Sequence, residues 1–369
     1  MHYWPHVIIT VSARDTVPSA SMRLEMKQSG DYKRVISGRD KPLSSISIQF
    51  NKLTDINTNA SKTTSQMSAT RFVPRAIQKL FLAVEQNEGV GARVRRSIGG
   101  LNVRNFSPFL VLDHLTKAGG GFPDHPHRGQ ETITYVLSGA VDHEDFTGSK
   151  GTIRRGDLQF MTAGRGIVHA EMFNEETKEA PEMMQLWVDL PAELKEVEPR
   201  YRDLRAEEIP IAKPDDKVEI KVISGESYGV KSVQDLAYTP MSMYDYKVQP
   251  GGVVRQEVPE GWNTFLYVLK GGIKVNGEKV DQYNACLFKP EGNGVEFAVP
   301  VDGQESRVIL YGGKILDQDI VQHGPFVETS RDRIVKAFMD YQTGSNGFER
   351  ASSWTSEIGK RKIKLNRDE

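Results

Sequence analysis

The chain contains an internal repeat. Thr132-Ile133-Thr134-Tyr135-Val136-Leu137-Ser138-Gly139 matches Thr264-Phe265-Leu266-Tyr267-Val268-Leu269-Lys270-Gly271 without a gap, with five of eight positions identical. Each copy is a run of β-branched, aromatic and aliphatic residues closed by glycine, the pattern of a strand that ends in a turn. The surroundings have the same texture. Leu80-Phe81-Leu82-Ala83-Val84, Phe109-Leu110-Val111-Leu112 and Met184-Gln185-Leu186-Trp187-Val188 are short apolar runs, and Gly99, Gly100, Pro123, Gly129, Gly139, Gly148, Gly151 and Gly156 punctuate them. Many short strands separated by turn residues predict a sandwich or barrel. A duplicated β unit within 369 residues, near the upper limit for one core, predicts two similar β-barrels packed side by side.

The barrels are expected over residues 67–200 and 201–352, with a boundary in or after the charged, proline-flanked connector that follows the strand-like 184–189 within 181–208. A short helix is predicted over 330–342, where Ile334, Val335, Ala337 and Phe338 fall at helical spacing. Residues 353–369 form a basic tail holding Lys360-Arg361-Lys362-Ile363-Lys364. Its bland reading is a solvated end; its functional one is nuclear entry. Residues 1–66 are rich in Ser, Thr, Asn and Lys towards their end and read as a disordered extension. The start lacks a basic n-region and Pro5 breaks its apolar run, which argues against a secretory signal. Asp15, Glu25 and Asp31 argue against a mitochondrial presequence. A start at Met67 is the alternative.

Composition removes several function classes. Lysine plus arginine number 48 and aspartate plus glutamate 49, so the chain has no general excess of positive charge for nucleic acid, and no helix-turn-helix or zinc-finger pattern is present. No apolar run is long enough to span a membrane as a helix. Cys286 is the single cysteine, which rules out an internal disulfide and a thiolate-rich metal site. A metal here must be held by histidine and carboxylate.

Five of the eight histidines lie between His114 and His169. In Asp124-His125-Pro126-His127 and in His169-Ala170-Glu171 the polar groups are two residues apart. Residues i and i+2 of a strand face the same side, so each pair can aim two ligand atoms at one point. Two such strands inside a barrel would supply three imidazoles and one carboxylate, a set suited to a divalent transition metal. Octahedral iron would keep two open positions, whereas zinc with four protein ligands would be closed and structural. Each pair alone is a weak signal, since such histidines are usually surface or core groups.

The repeat provides a control. Aligned on the Tyr-Val-Leu match, His125 falls opposite Glu257 and His127 opposite Pro259. Aligned on Gly164-Arg165-Gly166 against Gly292-Asn293-Gly294, His169 falls opposite Phe297 and Glu171 opposite Val299. One metal site per chain is therefore expected, in the first barrel.

At these residues the chain resembles the pirin family of the cupin superfamily. The resemblance rests on Phe106-Ser107-Pro108-Phe109, on the stretch from Gly121 through His125-Pro126-His127-Arg128-Gly129-Gln130-Glu131-Thr132, and on His143-Glu144-Asp145-Phe146. The most specific part is Gly156-Asp157-Leu158-Gln159-Phe160-Met161-Thr162-Ala163-Gly164-Arg165-Gly166-Ile167-Val168-His169-Ala170-Glu171-Met172. Val321-Gln322-His323-Gly324-Pro325-Phe326-Val327 and Asn346-Gly347-Phe348-Glu349 carry it into the C-terminal part, so it covers about residues 68–352. It implies an all-β chain of two tandem cupin, jelly-roll-like barrels. It also implies one iron, as Fe(II) or Fe(III), on His125, His127, His169 and Glu171, with other divalent transition metals as alternatives. General cupins often draw the carboxylate from the first motif, which nominates Glu131; the pirin pattern uses Glu171 and leaves Glu131 a structural or supporting group.

Two functions follow from the resemblance. The first is a quercetin 2,3-dioxygenase, which opens a flavonol ring with dioxygen; Glu171 would take the substrate's hydroxyl proton, and His114 and His143 are candidate supporting groups. The second is a redox-responsive co-regulator of transcription in nucleus and cytoplasm. It would bind a transcription-factor partner through a face built around Arg93, Arg95 and Arg96. A monomer is expected in either case.

Overall fold

The computed structural model describes residues 71–360 apart from 89–90, 118–119, 175 and 235, together with a short N-terminal ladder that pairs Arg23–Leu24 with Ile36–Ser37. The expected disorder of the first 66 residues and most of the basic tail lie outside these. The described residues from 71 to 360 form one compact unit. Its regular structure is almost wholly antiparallel strand, with one α-helix among the described residues. No helix there is long and apolar enough to cross a membrane.

Two barrels are present, each made of a seven-stranded and a four-stranded sheet. In the first, the large sheet runs in the order Arg200–Leu204, Leu158–Thr162, Gln130–Ser138, Glu182–Asp189, Phe109–Lys117, Ala92–Ile98, Glu85–Glu88. The small sheet runs Lys150–Arg154, Ala140–Asp145, Ile167–Phe173, Gly121–His127. The second barrel repeats the large sheet as Ile77–Leu82, Asn284–Phe288, Trp262–Lys270, Ser306–Lys314, Met241–Val248, Val218–Ser224, Ile211–Ala212. The two orders correspond strand for strand around the repeated segments Gln130–Ser138 and Trp262–Lys270.

The repeated strands are buried on both faces, and their alternation shows why. Ile133, Tyr135 and Leu137 join Phe265, Tyr267 and Leu269 in one core shared by both large sheets. The intervening Leu266 and Val268 point instead into the second barrel, among Val254, Phe297 and Val308. A strand covered on both sides reads as a continuous apolar run rather than an alternating one.

Neither barrel is a continuous stretch of chain. The strand Ile77–Leu82 pairs with Asn284–Phe288 of the second barrel. In return, the chain after the second barrel crosses to the first. There the hairpin Val321–His323 and Phe326–Glu328 leads to α1 (Arg331–Thr343), capped by Ser330 and ended by the left-handed Gly344. Phe326, Ile334, Ala337 and Phe348 pack on Phe146, Met161, Ala163, Ile167 and Val168. Gly166, at φ +146°, has no room for a Cβ because the Phe348 ring lies against it. At Gly129, φ +78°, a Cβ would collide with the Val327 carbonyl. Both glycines flank the histidine motifs, so the C-terminal segment seats on the turns that aim them.

Candidate metal centre

The small sheet of the first barrel brings the two motifs together. His125 pairs with His169 across the strands, and His127 pairs with Ile167. The register then slips, so that Glu171 faces Phe122. A bulge of this kind re-aims side chains next to a site. The ring centroids of His125, His127 and His169 lie 4.3 to 5.0 Å apart. Their ligand nitrogens fall within 4.8 Å of one another, and this is the one such metal-ready group among the described residues. Glu171 Oε2 is 4.0 Å from His169 Nε2 and the carboxylate is buried.

The ring nitrogens fit a metal. His125 Nδ1 is 2.8 Å from the Pro123 carbonyl, which can only accept, so Nδ1 carries the proton and Nε2 keeps its lone pair. His127 Nδ1 is 2.8 Å from the Gln130 side-chain amide. With the amide nitrogen turned to the ring, Gln130 Oε1 is buried without a partner. With the oxygen turned to it, Nδ1–H donates to Oε1 and His127 Nε2 is freed as a ligand. Burial, and after it the neighbouring His125, lowers the pKa of His127 and His169 well below the usual value, which keeps these rings neutral, the ligating form.

Glu171 is held by Thr134, whose hydroxyl donates to Oε1 at 3.0 Å. Thr134 also meets the Gln185 amide at 2.7 Å. A hydroxyl has one proton, so Gln185 must offer its NH2 there. The second barrel has Leu266 where the first has Thr134. That difference inside the repeat was the signal that could have singled out Thr134. Gln130, opposite Trp262 in the same alignment, carried a like mark, whereas Gln185 and Trp187 lie outside the repeated segment.

Above the centre opens a cavity of about 600 Å³. Val94, Val111, Leu115, Phe122, Met183 and Trp187 form apolar walls, and His125, His127 and Glu171 line it. Trp187 stands edge-on to His127 at 5.0 Å. Gln322, Gly324 and Pro325 of the C-terminal segment complete the wall.

Other candidates lie elsewhere. Glu131 faces the second barrel, accepting from the Thr162 hydroxyl and the backbone amides of Tyr238 and Thr239, so it joins the barrels and does not face the centre. His114 bonds Tyr267 and Glu182 at the interface between barrels. His143 lies beside the centre, next to Glu171 in the sheet. In the second barrel Glu257 and Pro259 are exposed, and Phe297 and Val299 fill the core. The residue paired with Glu257 is Gly294 rather than Phe297, and the Phe72 ring lies against Gly294.

This fold and site define a bicupin whose first barrel holds a cluster of three histidines fit to bind a metal. The Pirin family model matches residues 91–188 and that of the Pirin C-terminal cupin domain residues 243–347. Pirin of Homo sapiens is 45% identical over 286 residues, covering 75% of this chain and 96% of that one. A pirin-like protein of Solanum lycopersicum is 44% identical over 288 residues, covering 77% and 97%. The crystal structure of a quercetin 2,3-dioxygenase from Acinetobacter baumannii matches with a TM-score of 0.69 at 29% identity, covering 74% of this chain and 98% of that one. The chain belongs to the pirin family.

Proposed function

We propose that the first barrel is the active site of a non-haem iron dioxygenase of the quercetin 2,3-dioxygenase type, with iron on His125, His127, His169 and Glu171. The observation that carries this reading is the convergence of three imidazoles, two of them buried, beside an open cavity whose lining is mainly apolar but includes Glu88, Arg96, Arg104 and Asp113. Its volume falls in the range of small-molecule sites, roughly 300–1,000 Å³. The similarity to the Acinetobacter baumannii quercetin 2,3-dioxygenase supports a flavonol-type substrate.

Iron bound there would supply a Lewis acid and a template for substrate and dioxygen. The chain's own residues do the rest. Trp187, Met183, Val94 and Leu115 present flat apolar surface to an aromatic ring system and keep water from it. Glu171 lines the cavity with Thr134 fixing Oε1, and its carboxylate would take the proton of a substrate hydroxyl.

The charges near the cavity weigh against a redox-switched basic face. Arg96 is tied to Asp113 and Glu88, Arg93 to Glu85, and Arg95 lies on the Tyr283 ring. Anaerobic loading with Fe(II), followed by aerobic loss of quercetin's visible absorbance, tests the enzyme reading. Turnover that disappears in His169→Ala is expected. Bound iron with no turnover of any flavonol would leave the metal centre and remove the dioxygenase.

A further inference from the structure

The three imidazoles are not held alike. His125 and His127 each have Nδ1 against a fixed partner, Pro123 and Gln130. Both nitrogens of His169 are buried with no hydrogen bond. The sheet sets Asp145 directly across from His169, on the opposite side from His125. One oxygen of Asp145 accepts from the amide and hydroxyl of Thr147 and the amide of Ser149, at 2.7 to 2.9 Å. The other, Oδ2, is buried without a partner, and so is the Tyr201 hydroxyl. Burial, and then the nearby Asp145 and Glu171 carboxylates, pushes the Tyr201 hydroxyl well above its usual range, so it remains a donor. Its ring stacks on His143 with centroids 6.0 Å apart.

Three groups with unused hydrogen-bonding capacity, His169, Asp145 and Tyr201, therefore lie together on one side of the centre. A ligating histidine whose second nitrogen is unanchored can turn, whereas one that donates to a carboxylate is fixed in ring angle and tautomer. We propose that Asp145 and Tyr201 are positioning residues for the metal centre: Asp145 Oδ2 accepts the Nδ1–H of His169, directly or through one water, and the Tyr201 hydroxyl donates to Asp145. The inference rests on the reading of His169 and Glu171 as metal ligands.

The test uses the full-length chain and zinc(II), which is diamagnetic, as the probe. Asp145→Asn keeps an oxygen for the Thr147–Ser149 turn but presents an NH2 to His169. Tyr201→Phe removes one oxygen and keeps the ring on His143. Tyr311→Phe is the control, because its hydroxyl is also buried and unpartnered but lies in the core between the barrels. Competition with a chromophoric chelator should show zinc affinity about 10–100-fold weaker in each of the first two variants and unchanged in the control. The melting temperature of the metal-free proteins should stay at the wild-type value. ¹⁵N NMR of the zinc-loaded wild type should show a proton on His169 Nδ1 in a strong hydrogen bond that Asp145→Asn loses. Affinities within about twofold of wild type in both variants would overturn the inference. Should Asp145→Asn fail to fold, Tyr201→Phe carries the test. A wild type that binds neither zinc nor iron would instead bring down the metal assignment beneath it.

Discussion

Asp340→Ala should unseat the C-terminal segment from the first barrel. Asp340, on α1, accepts from Arg128 and Lys336 at 2.7 Å and from the Asn346 amide at 2.7 Å. Arg128 immediately follows His127, and its guanidinium also donates to the Arg165 and Asn346 carbonyls. The ion pair is buried, with side chains 6% and 7% exposed. Burial raises the Asp340 pKa, but the hydrogen bonds from Arg128, Lys336 and Asn346 outweigh it and hold the carboxyl at about 2. That depression from 3.8 corresponds to about 2 kcal/mol, present above pH 3.8 and lost as the pH falls towards 2. Removing the carboxylate costs more, because Arg128 is left charged and buried; about 3–5 kcal/mol is typical. At the middle of that range, and about 2–4 °C per kcal/mol, the melting temperature should drop by roughly 8–16 °C. Thermal and urea unfolding at neutral pH would measure it. The double variant Arg128→Met/Asp340→Leu, which removes both charges, should lose much less than the two single changes add up to. A loss under about 1 kcal/mol for Asp340→Ala, or strict additivity in the double variant, would refute the reasoning.

His127→Ala should strip the metal yet leave the metal-free fold intact, because the cores of both barrels are apolar strands; circular dichroism and elemental analysis check the two halves of that statement. Glu257→Ala, at the matching place in the second barrel, should leave metal content unchanged. Metal-free protein should lose stability as the pH falls below about 6.5, because the unfolded chain takes up protons that buried His127 and His169 refuse; each contributes up to about 1.4 kcal/mol per pH unit. Replacing both by glutamine should flatten that slope in a melting series from pH 7 to pH 5. Burial, and after it Glu278, pushes the Cys286 thiol up to about 12, so a thiol reagent should leave it unmodified in the native protein and label it only in denaturant.

The barrels and the histidine centre were legible in the sequence because each rests on a short-range pattern. The repeat around Tyr135 and Tyr267 revealed the duplication, and the two-residue spacing of His125, His127, His169 and Glu171 reflects the period of a strand. What stayed hidden depends on contacts far apart in the chain. Nothing near Ile77–Leu82 says that this strand serves the second barrel, since its partner is Asn284–Phe288. The same holds for Arg128 and Asp340, which meet across more than two hundred residues. Glu131 illustrates a different difficulty. In the strand Gln130–Ser138 it lies close to the histidine motif, but its carboxylate is claimed by Thr162, Tyr238 and Thr239. The shift that pairs Glu257 with Gly294 was likewise invisible, because strand register depends on bulges that a gapless alignment does not contain.

The central claim is a single metal ion on the three histidines of the first barrel. Elemental analysis of the full-length protein after anaerobic loading with Fe(II), beside His169→Ala treated identically, tests it most directly. About one iron per chain is expected in the wild type and almost none in the variant, with both proteins folded. A wild type that takes up no metal, or a variant that keeps its full share, would contradict it.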